Sequence, residues 1–226
     1  MYISEQYLNE LSYFVTPYVK KLINNIPTVT KKDFIGNVEP GDIVLGFSPR
    51  ELKTVRTSKI IASVQRSPYT TSKIVADNKT IIGYGVKAVN TVDENFLRTY
   101  QLRNLLIERH ELCLIRINDA TLTQKRKAID FCLNRLGLEY NSSDLLKTIW
   151  NVFTRKKLFP FFRNEPLEKK EVDNLQRPLF CSSIIALGYW YAGYKHKFNG
   201  KSPYELWPID FLIDDNTTGV CRVEQL

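Results

Sequence analysis

The stretch LFCSSIIALGYWYAGY is apolar on almost every side from Leu179 to Tyr191. A helix of that kind has no face to offer water, so other elements must enclose it all round. The sequence therefore predicts a central interior helix closed by Gly193, with the rest of the chain wrapped about it. Cys181 stands at its head. A thiol placed there lies among unpaired backbone N–H groups at the positive end of the macrodipole, a setting that suits a nucleophile. Many cysteines begin helices without reacting, so the local pattern by itself favours an inert thiol.

The chain has 226 residues, enough to build a proper core around such a helix. From Asn37 onward, VEPGDIVLGF, IIASV, SKIVAD, TIIGYGVKAV and ELCLIRI read as short strands bounded by Pro-Gly, Ser-Pro and Asp-Asn turns, with DENFLRTYQLRNLL as a helix between the last two. The expected class is α+β, a small antiparallel sheet or partly closed barrel packed on the helix that carries Cys181. A further helix is expected at about 121–136, with Leu122, Ile129, Leu133 and Leu136 on one face, Asp119 or Thr121 capping its start and Gly137 closing it. In the tail, SPYELWPIDFLIDD reads as a proline-punctuated loop and GVCRVEQL as a last strand.

Two segments stand apart from this domain, which spans 37–226. Residues 1–36 form an amphipathic arm with Leu8, Leu11, Val15, Tyr18 and Leu22 at helical spacing and Pro17 kinking or dividing it. Packing across the domain or docking on a protein partner is its expected role. Residues 142–178 mix aromatic and basic side chains as an insertion, read as a solvated excursion or as a surface for an anionic substrate.

Composition excludes several classes. No apolar run approaches the ~18 residues that cross a bilayer, and MYISEQYLNE lacks the basic-then-apolar order of a secretory signal, so a soluble chain that stays in the cytoplasm is expected. The formal charge of +8 and pI near 9.2 favour acidic partners, but a nucleic-acid reader would rest on charge alone, without a finger, RNP or basic-zipper pattern. Cys113, Cys132, Cys181 and Cys221 show no metal-ligand spacing, which predicts reduced thiols, no metal and no cofactor. Cys113 sits in a strand pattern, Cys132 on an apolar helix face and Cys221 in the terminal strand.

The order of these motifs carries more than any one of them. GDIVL before a strand, the Ser67-Pro68-Tyr69 turn opening the next, a GV-containing third strand, LIRI, a helix ending in LGLEY and finally FCSSIIALGYWYAG resemble the circularly permuted, NlpC-type branch of the papain-like cysteine hydrolases. The YiiX/YebB-like group, with bacterial, phage and poxvirus members, is the nearest in pattern, over roughly residues 38–212. The resemblance implies a permuted papain-like fold in which a cysteine forms an acyl-enzyme and a strand histidine takes the thiol proton. Cys181 matches the nucleophile. The histidine position falls on Thr71, and the orienting position on Gly83 or Tyr84. A threonine is no base near neutral pH, and a tyrosine replaces a carboxylate poorly. Only His110 and His196 are available to rescue the site, and both read as surface histidines. The sequence thus implies a degenerate hydrolase retained as a structural or interaction component, for instance in the tail, baseplate or neck of a phage virion. The alternative is an active peptidase or amidase acting on a peptidoglycan peptide, amide or lipid ester.

Overall fold

The computed structural model describes residues 15–47, 61–63, 65–84, 96–108, 111–140 and 180–224. The insertion at 142–178, His110 and the first part of the arm lie outside the described residues. Six strands form one antiparallel sheet in the order β4-β3-β2-β1-β5-β6. They are β1 (Ile43–Phe47), β2 (Thr71–Val75), β3 (Thr80–Tyr84), β4 (Leu97–Gln101), β5 (Glu111–Ile117) and β6 (Thr217–Glu224). The sheet is open, with β4 and β6 as its edges, so the barrel alternative is not what these strands form.

The sheet is covered on both faces, which is why its inner strands are apolar runs with little alternation. All five residues of β1 are buried, as are all five of β2. One face presents Ile43, Leu45, Phe47, Ile74, Ile82, Tyr84, Cys113 and Ile115 to α4 (Leu122–Leu133) and α5 (Cys181–Tyr191). The other presents Val44, Val75, Ile81, Leu112 and Leu114 to α2 (Lys31–Asn37) and α3 (Leu102–Glu108), through Phe34, Leu102, Leu105 and Leu106. The expected interior helix is present: every residue of α5 from Cys181 to Tyr189 is buried.

Several local expectations are corrected. IIASV is helical at Ile61–Ser63, because a five-residue apolar run carries no period that tells a strand from a buried turn of helix. DENFLRTYQLRNLL is divided among its described residues: Leu97–Gln101 pairs with β3 as β4, and the helix begins at Leu102. At Pro17 the dividing alternative fits: Pro17 begins α1 (Pro17–Asn25) at the position where a missing N–H costs nothing, after the Thr16 cap, and the residues before 15 lie outside the described ones. Val19 and Ile23 of α1 join the core of the helix-covered face, while Tyr18 is 60% exposed. In the tail, Pro208–Leu212 forms α6, with Asp210 accepting the Trp207 N–H at 2.7 Å. Proline in the first turn and an aspartate at the third position are its sequence signal.

Of the predicted face of α4 only Ile129 is buried. Leu122, Leu133 and Leu136 are exposed, and the buried residues are Lys125, Ala128, Ile129, Phe131 and Cys132. Small residues decide the rotation. Gly188 of α5 lies so close to α4 that a Cβ there would come 2.9 Å from the Ala128 carbonyl oxygen, and Ala128 itself is fully buried. The capping box of Thr121 and Gln124 fixes where α4 starts.

This seam predicts opposite outcomes for two substitutions. Gly188→Ala forces α4 and α5 apart and should destabilise by about 1–3 kcal/mol. Leu122→Ser, on the face the sequence pattern would have buried, should change stability by less than about 0.5 kcal/mol. Urea denaturation of both variants reads the difference.

Candidate active site

The register of the sheet places the residues around Cys181. Tyr189 donates from its phenol to the Gly41 carbonyl, just ahead of β1. Cys181 lies eight residues back along α5, ~12 Å at helical rise. Leu45 lies four residues along β1 from Gly41, ~13 Å at strand rise. Leu45 is paired with Ser72 of β2, the strand on which α5 packs. Ser72 thus lies on the strand against which α5 packs.

Alternation then separates Ser72 from Thr71. Ser72 shares a face with Ile74, which belongs to the core under α4 and α5. Thr71 shares the opposite face with Lys73 and Val75, and its hydroxyl is directed to the Gly46 carbonyl at 3.5 Å. Lys73 confirms the direction: its ammonium stands 4.2 Å over the Tyr100 ring and donates to the Tyr84 carbonyl. The position that the resemblance assigns to the base thus points away from the helix bearing Cys181, and the residue facing that helix is Ser72.

Tyr84 faces the same side. The pairing of Ile74 with Ile82, continued two residues, sets Tyr84 beside Ser72. Its ring meets Tyr140 edge-on at 5.1 Å. Burial, then the neighbouring Cys181 thiol and Tyr84 phenol, push the Tyr140 hydroxyl well above its ordinary range. Cys181, Tyr84 and Tyr140 therefore form one group, with Cys181 itself only 7% exposed. Tyr140 closes the LGLEY motif, and its place beside the cysteine is a feature that motif order did not supply.

Three buried hydroxyls lie at or near this end of the sheet without a hydrogen-bond partner: Thr70 Oγ1, Ser72 Oγ and Ser183 Oγ. Ser182 differs, because its hydroxyl donates to the Leu206 carbonyl. The first intrahelical bond of α5 runs from Ile184 N to Phe180 O at 3.2 Å, and Phe180 offers no side-chain cap. The amides of Cys181, Ser182 and Ser183 are thus the ones at this helix end without an acceptor inside the helix.

His196 lies beyond the other end of α5 and is no ordinary surface side chain. Its Nε2 is 2.9 Å from both carboxylate oxygens of the buried Asp214, and Asn216 Nδ2 is 2.9 Å from its Nδ1. With the amide as donor to Nδ1, the imidazole carries its proton on Nε2 and donates to Asp214. Asp214 also accepts the amides of Asn199 and Asn216 at 2.5 and 2.9 Å. This clasp holds the loop after α5 to the start of β6, and His196 packs edge-on to Phe198 at 5.5 Å. The structure does not bring His196 and Cys181 together. Among the described residues, no three His, Cys, Asp or Glu side chains converge as a metal set requires.

All four cysteines are free and buried. Burial pushes the Cys132 thiol up to about 12 and the Cys221 thiol up to about 11, and raises that of Cys113 further. For these groups the native state holds a proton that the unfolded chain has released, so stability falls as pH rises. Stability should be level below the ordinary thiol value of 9.0 and decline from there toward pH 11. Guanidinium unfolding at pH 8, 9 and 10 measures the slope, and Cys132→Ala should reduce it.

No family model matches the chain, and no curated protein matches its sequence.

Proposed function

We propose that this protein is a cysteine-hydrolase-like scaffold that binds rather than turns over, serving as an interaction or structural component of an assembly such as a phage virion. One observation carries the reading. The strand positions facing the head of α5 are Ser72 and Tyr84, and the described histidine, His196, is committed to Asp214 at the far end of the helix. A hydroxyl cannot accept the thiol proton near neutral pH, and loss of a general base costs typically 100- to 10,000-fold in rate. The mixed α+β architecture with a cysteine heading a buried helix is compatible with descent from a hydrolase scaffold.

The test is single-turnover kinetics with a peptidoglycan stem-peptide amide and a long-chain acyl ester, followed by intact-mass measurement of the protein. No acyl adduct and no burst are expected, and Cys181→Ala should match the parent. A burst that disappears in Cys181→Ala would establish an active hydrolase with a base from elsewhere in the chain. For the assembly role, Cys181→Ala should still be incorporated into particles at the parent level, and failure of incorporation with the fold intact would count against it.

A further inference from the structure

We propose that the outer face of α4 is where a second copy of this chain docks, the two α4 helices lying antiparallel across a twofold axis. This stands apart from the hydrolase-like reading and needs nothing at Cys181.

Leu122, Arg126, Ile129, Leu133 and Leu136 recur at steps of four, three, four and three residues, the spacing of a helix–helix seam. The fold does not use that seam. The close approach of Ala128 to Gly188 sets the rotation of α4, and it leaves Leu122 72%, Leu133 37% and Leu136 45% exposed, with only Ile129 taken into the core. A leucine alone on a surface needs no explanation. Tyr18, Ile35 and Ile107 are exposed in that way, one each on α1, α2 and α3. Three leucines in line along α4 and the turn that follows it are a different case, because one partner helix covers them together.

Charge identifies the occupant. Arg126 stands within the seam and Asp130 beside it, ~40° further round the helix. Both are exposed, and among the described residues neither has an ion-pair partner. The midpoint of Arg126 and Asp130 is Ala128, and that of Leu122 and Leu133 falls between Lys127 and Ala128. The two centres are half a residue apart, ~0.8 Å along the axis. A pattern with one centre is complementary to its own antiparallel image. Twofold pairing about that centre sets Arg126 of each copy against Asp130 of the other, and Leu122 of each against Leu133, which is the isologous geometry of a closed dimer. A parallel pair would instead set Arg126 against its own copy, so the charges select the antiparallel arrangement. The twelve residues of α4 span ~18 Å. A contact of that length belongs at the low end of interface sizes, so the dimer exchanges with the monomer rather than being obligate.

The experiment is sedimentation velocity of the full chain from about 10 µM to about 0.5 mM. Salt at about 0.15 M largely screens the +8 charge of each copy. The mean mass should rise with concentration from the monomer and level off at the dimer. Leu122→Glu, Arg126→Glu and Asp130→Arg should each weaken association at least about tenfold, because every change acts twice across the axis. The double variant Arg126→Glu/Asp130→Arg should associate within about threefold of the parent. Arg126→Glu mixed with Asp130→Arg should give a heterodimer, although each alone stays monomeric, and that recovery shows that the single variants are folded. A monomer at every concentration, a mass that climbs past the dimer, a dimer indifferent to all three substitutions, or single reversals that neither the double variant nor the mixture rescues would overturn the proposal.

Discussion

The Glu39-Pro40-Gly41-Asp42 corner fixes more of this molecule than its four residues suggest. Gly41 has φ +89°, open to glycine at little cost, and a Cβ there would fall 2.7 Å from that of Lys125 on α4. Its amide donates to Val75 O, and Val75 N donates back to Asp42 O, which joins β1 to β2. Its carbonyl takes the Tyr189 phenol, which pins α5. The Asp42 carboxylate, wholly buried, takes Arg116 in a two-pronged pair at 2.9 and 2.8 Å, which ties in β5. Arg116 extends the knot to Glu39 at 2.9 Å and to the carbonyl of Asn37 at 2.8 Å. Without the guanidinium the buried carboxylate would be left with little compensation, a loss on the order of 3–5 kcal/mol.

The consequence reaches the other end of the helix. Pinning Tyr189 to Gly41 limits how far α5 can slide along the sheet that carries Ser72 and Tyr84. The close approach of Gly188 to Ala128 sets its rotation. A rigid corner at the tail of α5 thus constrains its head without any contact of its own there.

How far this could be read from sequence depends on which physical signal each element carries. The interior helix was legible because an all-round apolar run with a cysteine at its head and a glycine at its end has few other fates. The strands GDIVL, SKIVAD, TIIGY and ELCLIRI were legible from their composition and turns, as was the burial of Cys113, Cys132 and Cys221. Facing was not. Where both sides of a sheet are buried, apolar content no longer marks one side, so Thr71 and Ser72 could not be told apart by pattern. The rotation of α4 was hidden for a related reason: its contact is made by Ala128 against a glycine, and small residues carry a weak hydrophobic signal next to Leu122 and Leu133. The short helix Pro208–Leu212 was missed although Pro208 and Asp210 are ordinary start signals. The division of DENFLRTYQLRNLL depended on pairing with β3, a partner that lies far away in local sequence terms.

Catalysis and recognition make different demands on the head of α5, and the residues present separate the two. Acyl transfer by a thiol needs a proton acceptor in reach; binding a partner does not. On the proposed reading, hydroxyls at Ser72 and Tyr84 in place of an imidazole leave the thiol without a proton acceptor near neutral pH.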